Sequence, residues 1–426
     1  MFNATAHNRL QVHMLKTYAA SNLNRDDLGA PKEVLFGGSR RLRLSSQTLK
    51  RSVRMSEVFD SFRTYMAKQY GASSMVRTGM IATLLRERLD TTPEPVVTAA
   101  IRWVMLVLGK NALEKADKAK AEMVKKKADK AATGELDDDA GDMPNKEGTQ
   151  LIALSEREID LIAAAVRTLV DPKNVSSAIE KAIADRKLGS KKLAGDYSIE
   201  AQLFGRMMTA TEGFMSIDSP LQVAHGMTTH ETTIQRDYWT TVDDIKSERD
   251  IPGAGMIDVR RFGAGTFYLY SCLDLDLLAS NIRRSFYGEK EDVVRTIARD
   301  AAIAWLQGQA LSNPTGYQNS FAANDMPTTV AIEIGTSFPY SAAKTFEMPV
   351  SSKDENGKIT GFESPSIDRL IEWEKTRRQT YGHYVNPLQG YGLNSISTEQ
   401  SLESLVTTAG TQIDTLFASS DEKKVA

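Results

Sequence analysis

The residues best suited to chemistry stand together in Ser21–Arg54, near the start of the sequence. This stretch contains two adjacent carboxylates, Asp26 and Asp27, followed by a Gly-Gly pair and then by six basic residues without an intervening acid. The six basic residues are Arg40, Arg41, Arg43, Lys50, Arg51 and Arg54. Because the formal net charge of the 426-residue chain is only −2, this run is a local segregation of charge that favours an anionic partner.

A helix is predicted to begin inside the basic run. Ser45 or Ser46 is a suitable N-cap, and the segment that starts with QTLKRSVR keeps a helical pattern to about Lys68. Four polar side chains at positions i, i+3, i+4 and i+7 share one stripe of this helix: Gln47, Lys50, Arg51 and Arg54. A basic stripe at a helix start, with its oriented N–H groups, predicts phosphate binding; the alternative is a solvated basic face, or ion pairs with acids elsewhere.

The two carboxylates raise the question of a metal-dependent reaction. Asn24-Arg25-Asp26-Asp27 offers hard oxygen ligands for Mg²⁺, which would serve phosphodiester cleavage. The alternative is that one aspartate caps a turn while the other neutralises Arg25. Adjacent side chains rarely point the same way, so we favour capping and predict neither a metal nor a cofactor. The single cysteine, Cys272, excludes a cysteine zinc set, and no Walker, GxSxG or HExxH sequence occurs.

A second candidate is the aromatic pair Tyr238-Trp239, which lies in a segment rich in turns and charges. Exposed aromatic side chains stack on nucleic-acid bases or wedge between them. The alternative is a small local core beneath a long loop. The sequence by itself leaves both interpretations open.

The pattern of the chain is typical of an α+β protein. Alternation in RLQVHMLKTY, in Thr266–Leu275 and in PTTVAIEIG predicts strands, whereas the helical period dominates from about Met75 to Met208. A charged stretch from about Glu114 to Glu147 indicates a frayed helix with a disordered connection. No window approaches eighteen apolar residues, and the start of the chain lacks a signal-peptide pattern, so we expect a cytoplasmic protein without a membrane span.

The stretch NLNRDD…PKEVLFGGSRRLRLSSQTLKRSVR resembles the N-terminal signature of the CasC family, the backbone subunit of the type I-E CRISPR Cascade complex. Further matches follow in the same order: LFGRM at Leu203–Met207, QVAHGMTTH with YWTTVDD after it, and YQNSFAAN at Tyr317–Asn324. The resemblance covers about two-thirds of the chain, because the helical middle matches only in position and character.

The resemblance implies a right-hand shape. An RRM-like (ferredoxin-like) palm would comprise residues 1–74, 206–227 and 265–426, the last with the C-terminal helices. Helical fingers would occupy residues 75–205, and a β-rich thumb residues 228–264.

The resemblance also implies a non-catalytic function in antiviral defence. Several copies would stack head to tail along a CRISPR RNA, hold its phosphates and leave its base edges for target DNA. The implied partners are therefore CRISPR RNA, target DNA through guide pairing, further copies of the chain and other Cascade subunits, with no membrane. Carried over by motif, the RNA-binding candidates are Arg25, Lys32, Ser45, Gln47, Lys50, Arg51, Arg54, Gln318 and Asn319. The thumb would use Tyr238 and Trp239 as a wedge that kinks the guide.

One position departs from the family pattern. Tyr317 precedes Gln318 where a lysine is common, so we expect a phosphate contact there to be lost or replaced by stacking. Two alternatives to the scaffold stay open. One is a metal-dependent ribonuclease that uses Asp26 or Asp27, and the other is a solitary module for single-stranded RNA.

Overall fold

The chain divides into two compact units in a computed structural model. The model describes residues 7–78, 80–108, 152–188, 198–207, 216–241, 256–286 and 289–425; the charged stretch Glu114–Glu147 lies outside them. The first unit comprises residues 1–64, 220–279 and 295–426, and the second comprises residues 65–219 and 280–294. The described residues of the predicted thumb, 228–264, belong to the first unit.

The described residues form both strands and helices. The strands are β1 (Asn8–Ser21), β2 (Glu33–Phe36), β3 (Ser39–Leu44), β4 (Met75–Thr78), β5 (Ile152–Ser155), β6 (Leu221–Val223), β7 (Gly226–Thr228), β8 (Gln235–Thr241), β9 (Met256–Asp274), β10 (Thr329–Thr336) and β11 (Gln389–Tyr391). The helices are α1 (Ser46–Arg54), α2 (Glu57–Tyr70), α3 (Ile81–Arg88), α4 (Glu94–Leu108), α5 (Glu156–Val166), α6 (Val175–Leu188), α7 (Ile199–Phe204), α8 (Leu275–Ser285), α9 (Glu291–Leu311), α10 (Gln318–Phe321), α11 (Glu363–Tyr381) and α12 (Leu402–Val425). Short 3₁₀ turns lie at Pro172–Asn174, Ala342–Phe346, Gly382–Tyr384 and Asn394–Ile396.

The first unit is organised around one sheet with the strand order β11-β10-β1-β9-β7-β3-β2, and β6 and β8 also pair with β9. All of these pairs are antiparallel, so the α+β prediction is confirmed. The three predicted strands correspond to β1, β9 and β10. In the register of the central strand, Val12 lies opposite Ile332 on one side and Ser271 on the other.

The central strand β1 is buried on both faces, although the alternation in RLQVHMLKTY is typical of a strand that is buried on one face. Its polar residues Gln11, His13 and Lys16 are as inaccessible as Val12. They tolerate burial because each has partners. The Lys16 ammonium, for example, donates to the carbonyls of Ala310 and Ser312, at 3.2 and 3.0 Å.

Two predicted helix boundaries are wrong. The helix expected to run from Ser45 or Ser46 to about Lys68 is broken after Arg54, and the hydroxyl of Ser56 accepts from the backbone N–H of Phe59 to start α2. Met75–Thr78, predicted as helical, is strand β4 paired with β5. Pairing with a strand distant in sequence overrides the local helical pattern there.

The second unit is mainly helical, as its sequence pattern predicts. Leu85, Val96, Ile159 and Ile162 belong to its buried apolar core, which α3 to α6 surround. Ser155 begins α5 with a capping box. None of the described helices of either unit has the length and hydropathy needed to cross a membrane.

Candidate nucleic-acid interface

The acidic turn before β2 is built around one aspartate. Asp26 accepts hydrogen bonds through Oδ1 from the backbone N–H groups of Leu28 and Ala30, at 2.9 and 2.8 Å. This arrangement is an Asx-type turn, so the capping interpretation is confirmed for Asp26. Asp27 is exposed beside it. Among the described residues, the side chains close enough to share a metal ion are His7, Asp274 and Asp276, and neither Asp26 nor Asp27 belongs to that group.

The start of α1 is fixed to this turn by Ser45. The Ser45 hydroxyl accepts from the N–H of Thr48 at 3.3 Å, and the Ser45 N–H donates to Asn24 Oδ1 at 2.8 Å. Ser45 is only 6% exposed. Its hydroxyl therefore caps the helix, and the RNA contact expected of Ser45 stays a prediction.

The predicted basic stripe of α1 divides between two surroundings. Lys50 donates to the carbonyl oxygen of Leu221, at the start of β6, at 3.2 Å. Arg51 instead lines a polar cavity of about 490 Å³ together with Arg25 and the two aspartates of the turn. Gln47 is exposed at the helix start, and Arg54 is half-buried. The four residues share one helix, but their side chains have different environments.

Not every residue of the basic run is available to a ligand. Arg41 is fully buried and donates to the hydroxyl of Ser39 and to the carbonyls of Thr228 and Phe346. Burial lowers the pKa of its guanidinium. Arg41 is therefore part of the core, where it ties β3 to two distant segments.

A ladder of alternating rings and guanidinium groups lies within the first unit. We call Trp239, Arg260, Tyr317 and Arg25 the arginine–aromatic ladder. The Arg260 guanidinium lies 4.6 Å from the Trp239 ring centroid and 5.7 Å from that of Tyr317, while Arg25 lies 4.4 Å from the Tyr317 centroid. Arg260 also donates to the Ser320 hydroxyl at 3.0 Å. Cation–π attraction thus connects the β8–β9 hairpin, the loop before α10 and the acidic turn.

The loop that carries Tyr317 is held in place by contacts at Tyr317 and at Gly316. Tyr317 has φ 52°, in the left-handed region that side chains other than glycine rarely adopt. Next to it, a Cβ on Gly316 would lie 2.5 Å from the Leu23 carbonyl oxygen, so only glycine fits this close approach. Strain of this kind costs about 1–3 kcal/mol and persists only where the surroundings enforce it. That packing holds Tyr317 against Arg25, and the loss or replacement of a phosphate contact at this position stays a prediction.

The two later candidates differ in availability. Gln318 uses its Nε2 group to donate to the carbonyls of Pro314 and Ala323, both at 2.9 Å. Gln318 therefore holds the two ends of the loop together, and its expected RNA contact stays a prediction. Asn319 is exposed on α10.

Tyr238 and Trp239 are neighbours in β8 but have different environments. Successive side chains of a strand point to opposite faces. Tyr238 is 63% exposed, opposite Val259 in β9. Trp239 is half-buried against Arg260. The local-core interpretation fits Trp239, and an exposed stacking surface fits Tyr238.

Lys32, Arg43 and His225 form a second group of basic residues in the first unit. The Arg43 guanidinium is 2.7 Å from His225 Nδ1, and the backbone N–H of Arg43 donates to the Lys32 carbonyl at 2.8 Å. The pKa of His225 is lowered by burial and then by the positive charges of Arg43 and Lys32. Lys32 was a predicted contact, whereas His225 was missed because the five-residue spacing of His225 and His230 in QVAHGMTTH matches no metal-binding pattern.

Taken together, these features define an α+β protein with a discontinuous basic surface around one helix start, a surface suited to the phosphates of a single nucleic-acid strand. The chain belongs to the CT1975-like protein family, whose model matches residues 10–417. No curated protein sequence matches it significantly.

Two solved structures illustrate the similarity. A chain described as "CRISPR RNA-guided surveillance complex, pre-nicking" is 26% identical, with a TM-score of 0.67, and the match covers 95% of this chain and 99% of that one. Another, described as "CRISPR RNA-guided surveillance complex", is 21% identical, with a TM-score of 0.51 over 97% of this chain and 99% of that one. The second supports the fold alone.

Proposed function

We propose that this chain is a subunit of a Cascade-type CRISPR complex, and specifically the CRISPR RNA-binding backbone subunit of the type I-E class. The observation that carries the proposal is the 26% identical match, over 95% of the chain, to a protein described as part of an RNA-guided surveillance complex. In this proposal several copies stack head to tail along the guide, contact the other Cascade subunits and leave the guide bases to pair with target DNA.

The sheet of the first unit would serve as an RRM-like palm, the helical second unit as fingers and the β8–β9 hairpin as the thumb of a right-hand shape. The palm would bind phosphates through Arg25, Lys32, Gln47, Lys50 and Arg51. These are charged or amide side chains, and such groups hold a backbone without reading base edges. That chemistry suits a subunit that must accept guides of any sequence.

The proposed role is non-catalytic. One carboxylate oxygen of Asp26 accepts hydrogen bonds from two backbone N–H groups, so this oxygen has a structural role in the turn. This observation favours a scaffold over the ribonuclease alternative. Heterologous surfaces that repeat along one strand extend as an open helix, which accounts for head-to-tail growth.

The test is a charge reversal at the helix start. Lys50→Glu with Arg51→Glu is expected to abolish assembly on guide RNA in cells that carry a CRISPR array, because two phosphate-facing cations become anions. The measurement is the absorbance ratio at 260 and 280 nm of the purified particle, followed by sequencing of the bound RNA. The wild type is expected to yield uniform short RNAs with a repeat-derived end.

Glu57→Lys with Asp60→Lys, in the first turn of the next helix, α2, is a control that reverses two charges in the opposite sense. Circular dichroism checks that both variants fold. Assembly of the Lys50, Arg51 variant at the wild-type level would overturn the assignment of this surface. Wild-type protein that carries RNA of random origin as a monomer would favour the solitary RNA-binding module.

A further inference from the structure

Among the residues that the structure describes, Lys32, Arg43 and His225 form a basic cluster in which the Arg43 guanidinium contacts His225 Nδ1. Within the described residues, the charges that act on His225 come from Arg43 on β3 and Lys32 before β2, and both are positive. The next element, α1, faces this segment with a third cation, the ammonium of Lys50 at the Leu221 carbonyl. A cluster of this kind is stabilised by an anion that enters from solvent.

The hydrogen bond between Arg43 and His225 determines what the cluster offers to a ligand. Arg43 is always a donor, so His225 Nδ1 accepts its proton at 2.7 Å and the neutral ring carries its own proton on Nε2. The exposed imidazole therefore presents an N–H donor to solvent beside the guanidinium. Two donors side by side match the two non-bridging oxygens of a phosphodiester.

The backbone holds this arrangement in place. Gly226, next to His225, pairs with Leu44 across the β3–β7 ladder, one residue from the Arg43 position. A Cβ on Gly226 would lie 2.4 Å from Leu269 Cδ2, so the strand is pressed against the core at this point. The histidine is thus presented by a rigid strand end, which reduces the ordering cost of binding.

We propose that Lys32, Arg43 and His225 form a phosphate-binding triad for the RNA backbone, and that His225 takes up a proton from solvent when the phosphodiester binds. The inference rests on the proposed RNA-binding function and adds two residues and a protonation step to it. The Nε2–H of the ring and the Arg43 guanidinium contact the phosphate, and protonation turns Nδ1 from an acceptor into a second donor, which ends its hydrogen bond with Arg43. Arg43 is then free to bind the same anion.

The sign of the pH dependence follows from linkage. In the RNA-free protein the neighbouring cations and burial lower the pKa of His225, and a bound phosphate raises it. The complex therefore binds more protons than the free protein, and affinity rises as the pH falls through the pKa of the complex. The gain in affinity is complete below the pKa of His225 in the RNA-free protein. For one proton, affinity changes by at most about tenfold per pH unit.

The experiment measures the affinity of the full chain for a single-stranded oligouridylate between about pH 6 and about pH 8, the range in which histidine changes charge. Uracil does not protonate in this range, so the pH dependence belongs to the protein. The affinity of wild type for the oligouridylate is expected to rise as the pH is lowered over this range. This rise should be about three- to tenfold larger than the rise in affinity of His225→Gln. His225→Arg is expected to bind tightly with little pH dependence.

His383→Gln is the matched control, because His383 is exposed and lies in the separate turn Gly382–Tyr384. It is expected to keep the wild-type pH dependence. The salt dependence gives a second measurement: at the lower pH, His225→Gln should reduce the slope of log affinity against log salt by about 0.7, the value of one phosphate contact on a single strand.

The outcomes separate the inference from the function on which it rests. If no variant and no wild-type protein binds the oligouridylate at any pH, the proposed function and the inference both fail. If wild type binds and His225→Gln keeps the wild-type pH and salt dependence, the proposal of the triad is wrong. RNA binding through Lys50 and Arg51 of α1 would then still stand.

Discussion

Replacing Arg260 by glutamine should loosen the β8–β9 hairpin without unfolding the first unit. The guanidinium lies over the rings of Trp239 and Tyr317 and donates to the Ser320 hydroxyl. Each cation–π contact at a partly exposed site contributes about 0.5–1 kcal/mol, and the hydrogen bond about 1 kcal/mol. The local stability of the hairpin is therefore expected to fall by about 2 kcal/mol.

Amide hydrogen exchange measures this change directly. Amides of Gln235–Thr241 that exchange by local opening should exchange about 30-fold faster in Arg260→Gln, since about 1.4 kcal/mol corresponds to a tenfold change in the opening equilibrium. Amides in the middle of β1 should keep their protection, because Val12 and its neighbours lie in the buried centre of the sheet. Arg260→Lys keeps the charge but not the planar fork, so an intermediate effect is expected.

Arg236→Gln supplies the control for this experiment. Arg236 pairs with Arg261 in the same hairpin and is exposed, so its replacement removes the same charge from the same element. Unchanged exchange of the hairpin amides in Arg260→Gln would refute the coupling through the arginine–aromatic ladder. Equal acceleration in both variants would show that net charge, rather than stacking, holds the hairpin.

Two further predictions concern the acidic turn and the helix start. Ser45→Ala should lower the free energy of unfolding by about 1 kcal/mol, because a capping hydroxyl is lost, while the salt dependence of RNA binding stays at the wild-type value; a changed salt slope would mean that Ser45 touches phosphate after all. Asp26→Asn with Asp27→Asn should leave the lengths of bound and added RNA as they are in wild type. Variant and wild type are compared after the same incubation time. RNA that wild type shortens and this variant leaves intact would instead establish the ribonuclease alternative.

Patterns among neighbouring residues were sufficient to predict several strands and one helix start. Alternating apolar residues located β9 and β10, because the side-chain period of a strand is a property of a few consecutive residues. The serine before QTLKRSVR predicted the cap of α1, since capping uses atoms within four residues of one another. The order of motifs from NLNRDD to YQNSFAAN pointed to a CRISPR protein of the Cascade type, and the CT1975-like family model and the 26% identical chain support that coarser class.

Tertiary structure decided which of the charged residues face outward. Arg41 and Arg43 are two apart on β3 and look equivalent in sequence, yet Arg41 is fully buried while Arg43 reaches His225. The difference depends on the carbonyls of Thr228 and Phe346, which lie far away in the chain and satisfy the buried guanidinium. No local pattern reports a partner of this kind.

The same reason applies to the site as a whole. The sequence by itself determined that a basic helix start follows an acidic turn, because both features are written in neighbouring residues. Only the fold brought Arg25, Trp239, Arg260 and Tyr317 into one ladder, since this depends on the register of β8 with β9 and on the close approach of Gly316 to Leu23. Register and close packing are set by the burial of distant side chains against one another, and that information is spread over the whole chain.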